Sequence, residues 1–247
     1  MRDATSIIYG RNPVREALSA GSEIDRVFVL DRNEEGSLGR IVSLARKKGI
    51  RVDFVSKERL DEITRNSAHQ GVCAYAAAFS YSSVDDILKK AEEKNEAPFV
   101  IMLDGIVDPH NLGAIIRTAN CFGAHGVIIP KDNAAGLTES AVKASAGAVS
   151  YTPVSRVVNL SRTLEELKEK GLWTYCADMD GDEIGKTDLK GPICLVIGNE
   201  GKGVSLNLRK KCDFTVRIPL FGNIDSLNAS VAAGVFMYEI SSKRHER

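Results

Sequence analysis

The sequence predicts an α/β protein built from two unequal α/β domains, and three observations lead there. Short apolar, β-branched runs such as "RVFVL", "GVIIP" and "ICLVI" alternate along the chain with segments carrying Leu, Ile and Ala at helical spacing. In the second part the strands are apolar from end to end, which implies a mostly parallel sheet covered on both faces. Between the two parts, "SYSSVDDILKKAEEKNEAP" at 80–98 is polar, charged and closed by Pro98. The expected division is an N-terminal domain over 1–79, a linker with some helical character over 80–97, and a second domain over 98–247. A chain of 247 residues accommodates two domains of these sizes.

The first domain reads as a helix near 11–20, strand "RVFVL", a helix near 37–48, strand "VDFV", a helix near 57–65 and strand "GVCAYAA". The second opens on "FVIML", followed by a helix from Asn111, strand "GVIIP", a helix near 138–145, strand "TPV" and a helix near 160–169. It continues with "WTYCA", "ICLVI", a short helix after Gly203, "FTVRI" and a helix from Ser226. The strands are short, apolar and β-branched, while the helices carry Leu, Ile and Ala at helical spacing.

Composition excludes several classes. Lys plus Arg equals Asp plus Glu at 33 each, which argues against a large non-specific polyanion-binding surface but leaves room for local patches. Before Tyr81 there are 13 basic and 11 acidic residues, so the first domain is the mildly basic one. Arg11, Arg15, Arg46, Lys47, Lys48 and Arg51 are candidates for a basic face there, or for a solvated surface. No run approaches the roughly 18 apolar residues of a membrane span, and "MRDATSIIYG" shows no signal peptide. The five scattered cysteines lack a C-x-x-C pair and lie in or beside apolar stretches. They read as reduced, partly buried thiols of a cytoplasmic protein. Neither they nor the four histidines show ligand spacing, so no metal is expected.

Function concentrates in three loops. "LVIGNEGKGVS", 195–205, breaks from an apolar strand into glycines that flank a carboxylate. Lys202 is followed by Gly203 rather than Ser or Thr, so the phosphate-binding P-loop pattern fails, and no G-x-G-x-x-G can be read. A ligand loop of another kind, or a tight turn, remains. "FVIMLDGIVDPHNLGAIIRTAN" places Asn111 near a helix start and Arg117 more than one turn further on, where an Arg is also compatible with a surface charge. "IPLFGNIDSLNASVAAGVF" offers Ser226 and Asn228 ahead of an Ala/Gly-rich helix, and Ser226 alone reads equally well as an N-cap. All three loops bring Asn plus Arg, Glu or Ser to the carboxyl edge of one sheet, where ligands of open α/β sheets sit.

These segments, in this order, resemble the three motifs of the SpoU (TrmH) family of RNA ribose 2′-O-methyltransferases within the SPOUT superfamily. "IIYGRNPVREAL" and "HQGVCA" resemble the substrate-binding domain of that family's ribosomal RNA guanosine methyltransferases, so the similarity covers nearly the whole chain. Ala229 stands where many relatives have Val. The resemblance implies a SPOUT domain with a deep trefoil knot, S-adenosylmethionine as cofactor, an RNA substrate, 23S rRNA before tRNA, and a homodimer; the alternatives are a transfer-RNA ribose methyltransferase and a non-catalytic RNA-binding module on the same fold. It implies that Gly198, Ile218 and Leu227 hold the cofactor, and that Asn111, Arg117, Glu200, Ser226 and Asn228 surround the target ribose. Arg117 is then expected to approach the partner's cofactor.

A ribose hydroxyl is a poor nucleophile until its proton leaves, so such a site needs alignment and stabilisation of developing negative charge. Arg117 suits the second role, with several donors in one plane. Glu200, or a phosphate, is expected to assist proton removal, or Glu200 to hold Arg117 or Asn111 in place. A 2′-hydroxyl target also distinguishes RNA from DNA.

Overall fold

The computed structural model describes residues 7–19, 24–31, 36–76, 80–224 and 226–246. The chain divides into two compact units, one ending at Ser80 and one starting at Tyr81. The first contains β1 (Ile7–Tyr9), α1 (Arg11–Ser19), β2 (Ile24–Leu30), α2 (Gly36–Lys47), β3 (Arg51–Val55), α3 (Lys57–Thr64) and β4 (Val72–Ala76). Every strand and helix expected there is present, and Ala20 and Ala77, the expected ends of one helix and one strand, lie outside the described residues. The three-residue β1 is additional; it is too short to show a period. It pairs antiparallel with β4 at one edge of a sheet ordered β1-β4-β2-β3, in which only β2 and β3 run parallel.

Helical spacing builds this unit's core. Val14 and Leu18 of α1 and Leu38, Ile41, Val42 and Ala45 of α2 are buried against Val27, Val29, Val72 and Ala74. The basic residues are partly tied down: Arg26 and Arg51 share Asp53, Arg46 lies over the Phe54 ring, and Arg11 donates to the Gln70 carbonyl and to Ser37 Oγ.

The second unit contains α4 (Val84–Glu93), β5 (Phe99–Asp104), α5 (Pro109–Cys121), β6 (Gly126–Pro130), α6 (Glu139–Ala144), β7 (Val154–Val157) and α7 (Leu160–Glu169). It continues with β8 (Trp173–Glu183), β9 (Ile193–Gly198), α8 (Leu206–Arg209), β10 (Phe214–Arg217) and α9 (Ala229–His245). The sheet order is β10-β8-β9-β5-β6-β7 and every pair is parallel, as the continuous apolar strands require. Residues 99–103 of β5 and 193–197 of β9 are buried throughout, so these two strands form the centre. After β5 the chain moves toward β6, and after β9 toward β10. The order therefore reverses between β5 and β9, whose last residues, Asp104 and Gly198, are register partners.

Residues 80–97 depart from their expectation. Ser83 and Asp86 form a capping box that starts α4, and Ile87 and Ala91 are fully buried. Ile87 sits so close to β6 that a Cβ on Gly126 would meet its Cγ1 at 2.5 Å. The segment is thus part of the second unit's core rather than a linker: its charges occupy one face, while Val84, Ile87, Leu88 and Ala91 at i, i+3, i+4 and i+7 supply the other. The final helix starts at Ala229 rather than Ser226, and the strand expected at "TPV" begins at its last residue. Of the cysteines, Cys121 is exposed, Cys212 is half-buried, and Cys73, Cys176 and Cys194 are buried. Burial pushes the Cys73 thiol up to about 11 and that of Cys194 to about 12, holding both as thiols.

Candidate active site

The switch point between β5 and β9 is where the three loops meet. The loop after β9 is fixed first by its backbone: Asn199 N–H donates to the Gly203 carbonyl at 3.1 Å and Gly203 N–H returns the bond at 2.8 Å. Asn199 spends its side chain on structure, donating to the Gly105 carbonyl at 3.0 Å and accepting from Gly201 N–H at 2.9 Å. Asp104, at the end of β5, accepts from Ser205 N–H at 2.8 Å. Gly198 permits this fold-back, since a Cβ there would lie less than 3.0 Å from the backbone of Gly203 and Val204.

Glu200 projects from this pinned loop and gathers the other two. Its Oε1 accepts from Asn111 Nδ2 at 2.8 Å, Asn228 Nδ2 at 2.6 Å and Ala229 N–H at 3.1 Å. Asn228 Nδ2 also reaches Asn111 Oδ1 at 3.1 Å. Asn111 lies in the first turn of α5, which Asp108 caps by accepting from His110 N–H. Asn228 is the N-cap of α9, its Oδ1 accepting from the Ser230 and Val231 amides. Two helix N-termini thus converge on one carboxylate, an arrangement favoured by their positive dipole ends.

Beside this cluster is a cavity of about 640 Å³. Gly198, Ile218 and Leu227, the residues matched to cofactor binding, line it together with Glu200 and Ser226. Ser226 is exposed to the cavity and does not cap α9; Asn228 does, because the chain between them is still non-helical. Arg117 is placed differently. It lies about two turns into α5, is exposed, does not line the cavity, and has no hydrogen-bond or ion-pair partner among the described residues. The expectation that Glu200 holds Arg117 or Asn111 is met by Asn111 alone.

Sequence reasoning missed the charged wall of the cavity. Arg209 pairs with Asp178 at 2.9 Å and with Asp180 at 3.3 Å, and all three line it, as does Lys202. The apolar strand "WTYCA" breaking into "DMD" at its carboxyl end was the available signal for Asp178, because that edge carries the other site loops. Among the described residues, no group of three or more His, Cys, Asp or Glu is placed to hold a metal. No helix among them is long and apolar enough to cross a membrane.

Comparison with known proteins gives the family. Residues 98–238 match the model of the SpoU rRNA methylase family, and residues 7–82 match that of RNA 2′-O ribose methyltransferase substrate binding. A Bacillus subtilis protein named for the TrmH family of tRNA/rRNA methyltransferases is 45% identical over 239 residues, 96% of each chain. The SpoU methyltransferase AviRb of Streptomyces viridochromogenes, solved with AdoMet, superposes with a TM-score of 0.61 at 25% identity, over 96% of this chain and 90% of that one. An AdoMet-bound rRNA methyltransferase of Sinorhizobium meliloti gives a TM-score of 0.58 at 25% identity, over 98% and 88%. The family match across the catalytic fold, and a relative alike from end to end, make this chain a member of the SpoU/TrmH family of RNA methyltransferases.

Proposed function

We propose that the protein transfers the methyl group of S-adenosylmethionine to a ribose 2′-hydroxyl of RNA, and that its target is a guanosine of 23S rRNA. The observation that carries this is the meeting of Asn111, Glu200 and Asn228, from three loops, beside a cavity lined by Gly198, Ile218 and Leu227. The cavity suits the cofactor. Its volume falls within the roughly 300–1,000 Å³ of small-molecule sites. Its wall combines apolar Ile197, Leu220 and Phe236 for an adenine with backbone groups and charged side chains for the polar end. When bound, the cofactor supplies a methyl group already activated by its sulfonium charge.

The chain's own residues do the rest. Glu200 is a positioning residue: three donors fill its Oε1, which fixes the Asn111 and Asn228 amides beside the cavity. Asn111, which keeps one amide proton and one carbonyl lone pair free, orients the sugar, and Asn228, whose amide is spent on Glu200, Asn111 and the first turn of α9, holds Asn111 in place. Arg117 offers a fixed plane of donors to the negative charge that develops on that oxygen, and the proton leaves to solvent or to a substrate phosphate. No protein group here requires a metal.

Arg117 does not line its own chain's cavity, and in this reading, as the family resemblance implies, it serves the cavity of a partner subunit in a homodimer. Supporting it, Val231, Val235 and Tyr238 line one exposed side of α9 at i, i+4 and i+7 while Ala233, Phe236, Met237 and Ile240 are buried on the other. A helix apolar on both sides is expected to be covered on both. The deep trefoil knot and the cytoplasmic setting of an enzyme acting on ribosomal RNA belong to the same proposal, as does RNA capture by residues 1–79.

Radiolabelled methyl transfer tests it, with unmodified 23S rRNA and bulk tRNA as substrates. Transfer to 23S rRNA should leave one phosphodiester resistant to alkali, because a 2′-O-methyl blocks the internal attack that cleaves RNA. Transfer to tRNA alone, or to a base, would overturn the corresponding part of the proposal.

A further inference from the structure

The loop between β10 and α9 carries a feature that neither the cavity nor the core uses. Leu220, at its start, and Ser226 and Leu227, at its end, line the cavity. Between them Phe221 is 96% exposed and Ile224 76% exposed. Phe221 makes no ring contact with another aromatic or cation among the described residues, unlike Phe28, Phe99, Phe122 and Phe214. A benzyl side chain left wholly in water, one residue from the cavity wall, forgoes the burial that places most Phe in cores.

We propose that Phe221 is a stacking platform for an unpaired base of the RNA substrate, holding the nucleotide whose ribose enters the site. The proposal rests on the RNA ribose methyltransferase reading above. For its 2′-hydroxyl to enter a cavity, a nucleotide leaves the helical stack of its base, and the lost stacking is replaced most simply by an aromatic face. Phe221 stands at the rim where that base must lie, because the same short loop supplies Ser226 to the cavity and Asn228 to the cluster beside it. Lys202, which lines the same cavity without an ion-pair partner among the described residues, suits an adjoining phosphate, whereas Arg209 and Arg217 are held by Asp178, Asp180 and Glu183. A ring without polar atoms holds any base, so Phe221 contributes affinity and position, while the choice of nucleotide is made elsewhere.

The test compares full-length Phe221→Ala, Phe221→Leu and Phe221→Trp with wild type, using 23S rRNA and bulk tRNA as RNA probes and calorimetry for S-adenosylmethionine. Loss of one stacked base is expected to weaken RNA binding about 5- to 150-fold in Phe221→Ala. Phe221→Leu should lose nearly as much, since it is apolar but has no π-face, and Phe221→Trp should bind like wild type. Cofactor affinity should stay within about twofold in all three, as the ring is outside the cavity wall. In a Trp173→Phe background the new indole should be quenched when RNA binds. Wild-type protein that methylates neither RNA would sink the functional reading and this proposal with it. Wild-type protein that methylates while Phe221→Ala and Phe221→Leu do so equally well sinks the stacking role alone. A variant that loses RNA activity only as it dissociates in sedimentation would assign Phe221 to contact with a second copy instead.

Discussion

Replacing Gly198 with Ala should damage the site more than any other single methyl group added to its loops. The new Cβ would stand less than 3.0 Å from Gly203 C, Gly203 O and Val204 N, all backbone, where ordinary contact begins at 3.4 Å. The 199–204 loop must then retreat by roughly 1 Å, and the reciprocal Asn199–Gly203 pair at 3.1 and 2.8 Å stretches with it. Overpacking of this kind costs about 1–3 kcal/mol, and each weakened backbone bond adds about 0.5–1.5 kcal/mol. The sum, about 2–6 kcal/mol, corresponds to a fall in Tm of roughly 4–24 °C for a unit of this size. Because Gly198 and Gly203 both line the cavity, S-adenosylmethionine affinity should fall at least about tenfold, equivalent to about 1.4 kcal/mol. Two neighbours serve as controls. At Gly201 a Cβ meets only Asn199 Oδ1 at 3.6 Å, so Gly201→Ala should melt like wild type. Gly203 has φ +66° with nothing near its missing Cβ, so Gly203→Ala should lose roughly 1–2 kcal/mol from left-handed strain alone. Calorimetric melting and cofactor titration read all three. Gly198→Ala melting within about 2 °C of wild type with unchanged affinity would refute the steric argument.

Arg117→Ala should reduce methyl transfer about 100- to 1,000-fold with cofactor affinity within a few-fold, as for loss of one oxyanion donor; a variant retaining over about a tenth of turnover removes Arg117 from the mechanism. Mixing it with a cavity-defective Gly198→Ala subunit should restore part of the activity, since one cavity in each mixed dimer then has an intact cation. Burial pushes the His125 imidazole below its ordinary 6.5, although its bond to Glu96 works the other way. The unfolded chain therefore takes up the proton first, so stability is full above about pH 6.5 and declines as pH falls below it. His125→Asn should flatten that limb of Tm against pH, and a wild-type Tm that rises from pH 7 to 5.5 would contradict the assignment. A fragment starting at Tyr81 should fold and bind cofactor while losing RNA affinity. One starting at Glu96 should fail to fold cooperatively, because it lacks the buried Ile87 and Ala91, and equal melting of the two would contradict the place given to α4.

The strands of the second unit were legible because burial on both faces leaves no alternation to misread. Their parallel direction follows from the same fact. What the sequence hid has definite causes. α4 resembles a linker in sequence because six of its ten residues are charged, and the apolar stripe that makes it a core element is only four residues wide. Local composition does not reveal that β6 contributes a glycine, Gly126, as the seat for Ile87. The start of α9 was misplaced because Ser226 and Asn228 are both good caps. The choice between them is made by Glu200, whose Oε1 takes the Ala229 amide and draws the first turn to that position.

Glu200 also explains why part of the site was readable and part was not. Loops at the carboxyl ends of neighbouring strands must share an edge, so pattern alone brings Asn111, Glu200 and Asn228 to one place. Which of them touch depends on the 199–203 turn, and that turn is set by Asn199 and by the absence of a Cβ at Gly198. Arg117 falls outside this logic. Two turns along α5 it is carried away from the edge that holds its neighbours, and no packing within the described residues brings it back. A cation that the chemistry needs and that does not line its own chain's cavity supports the reading, implied by the family resemblance, in which two subunits share each site. The separation is also the point at which it can be tested, because a dimeric site allows one subunit's Arg117 to serve the other's cavity, whereas a self-contained site does not.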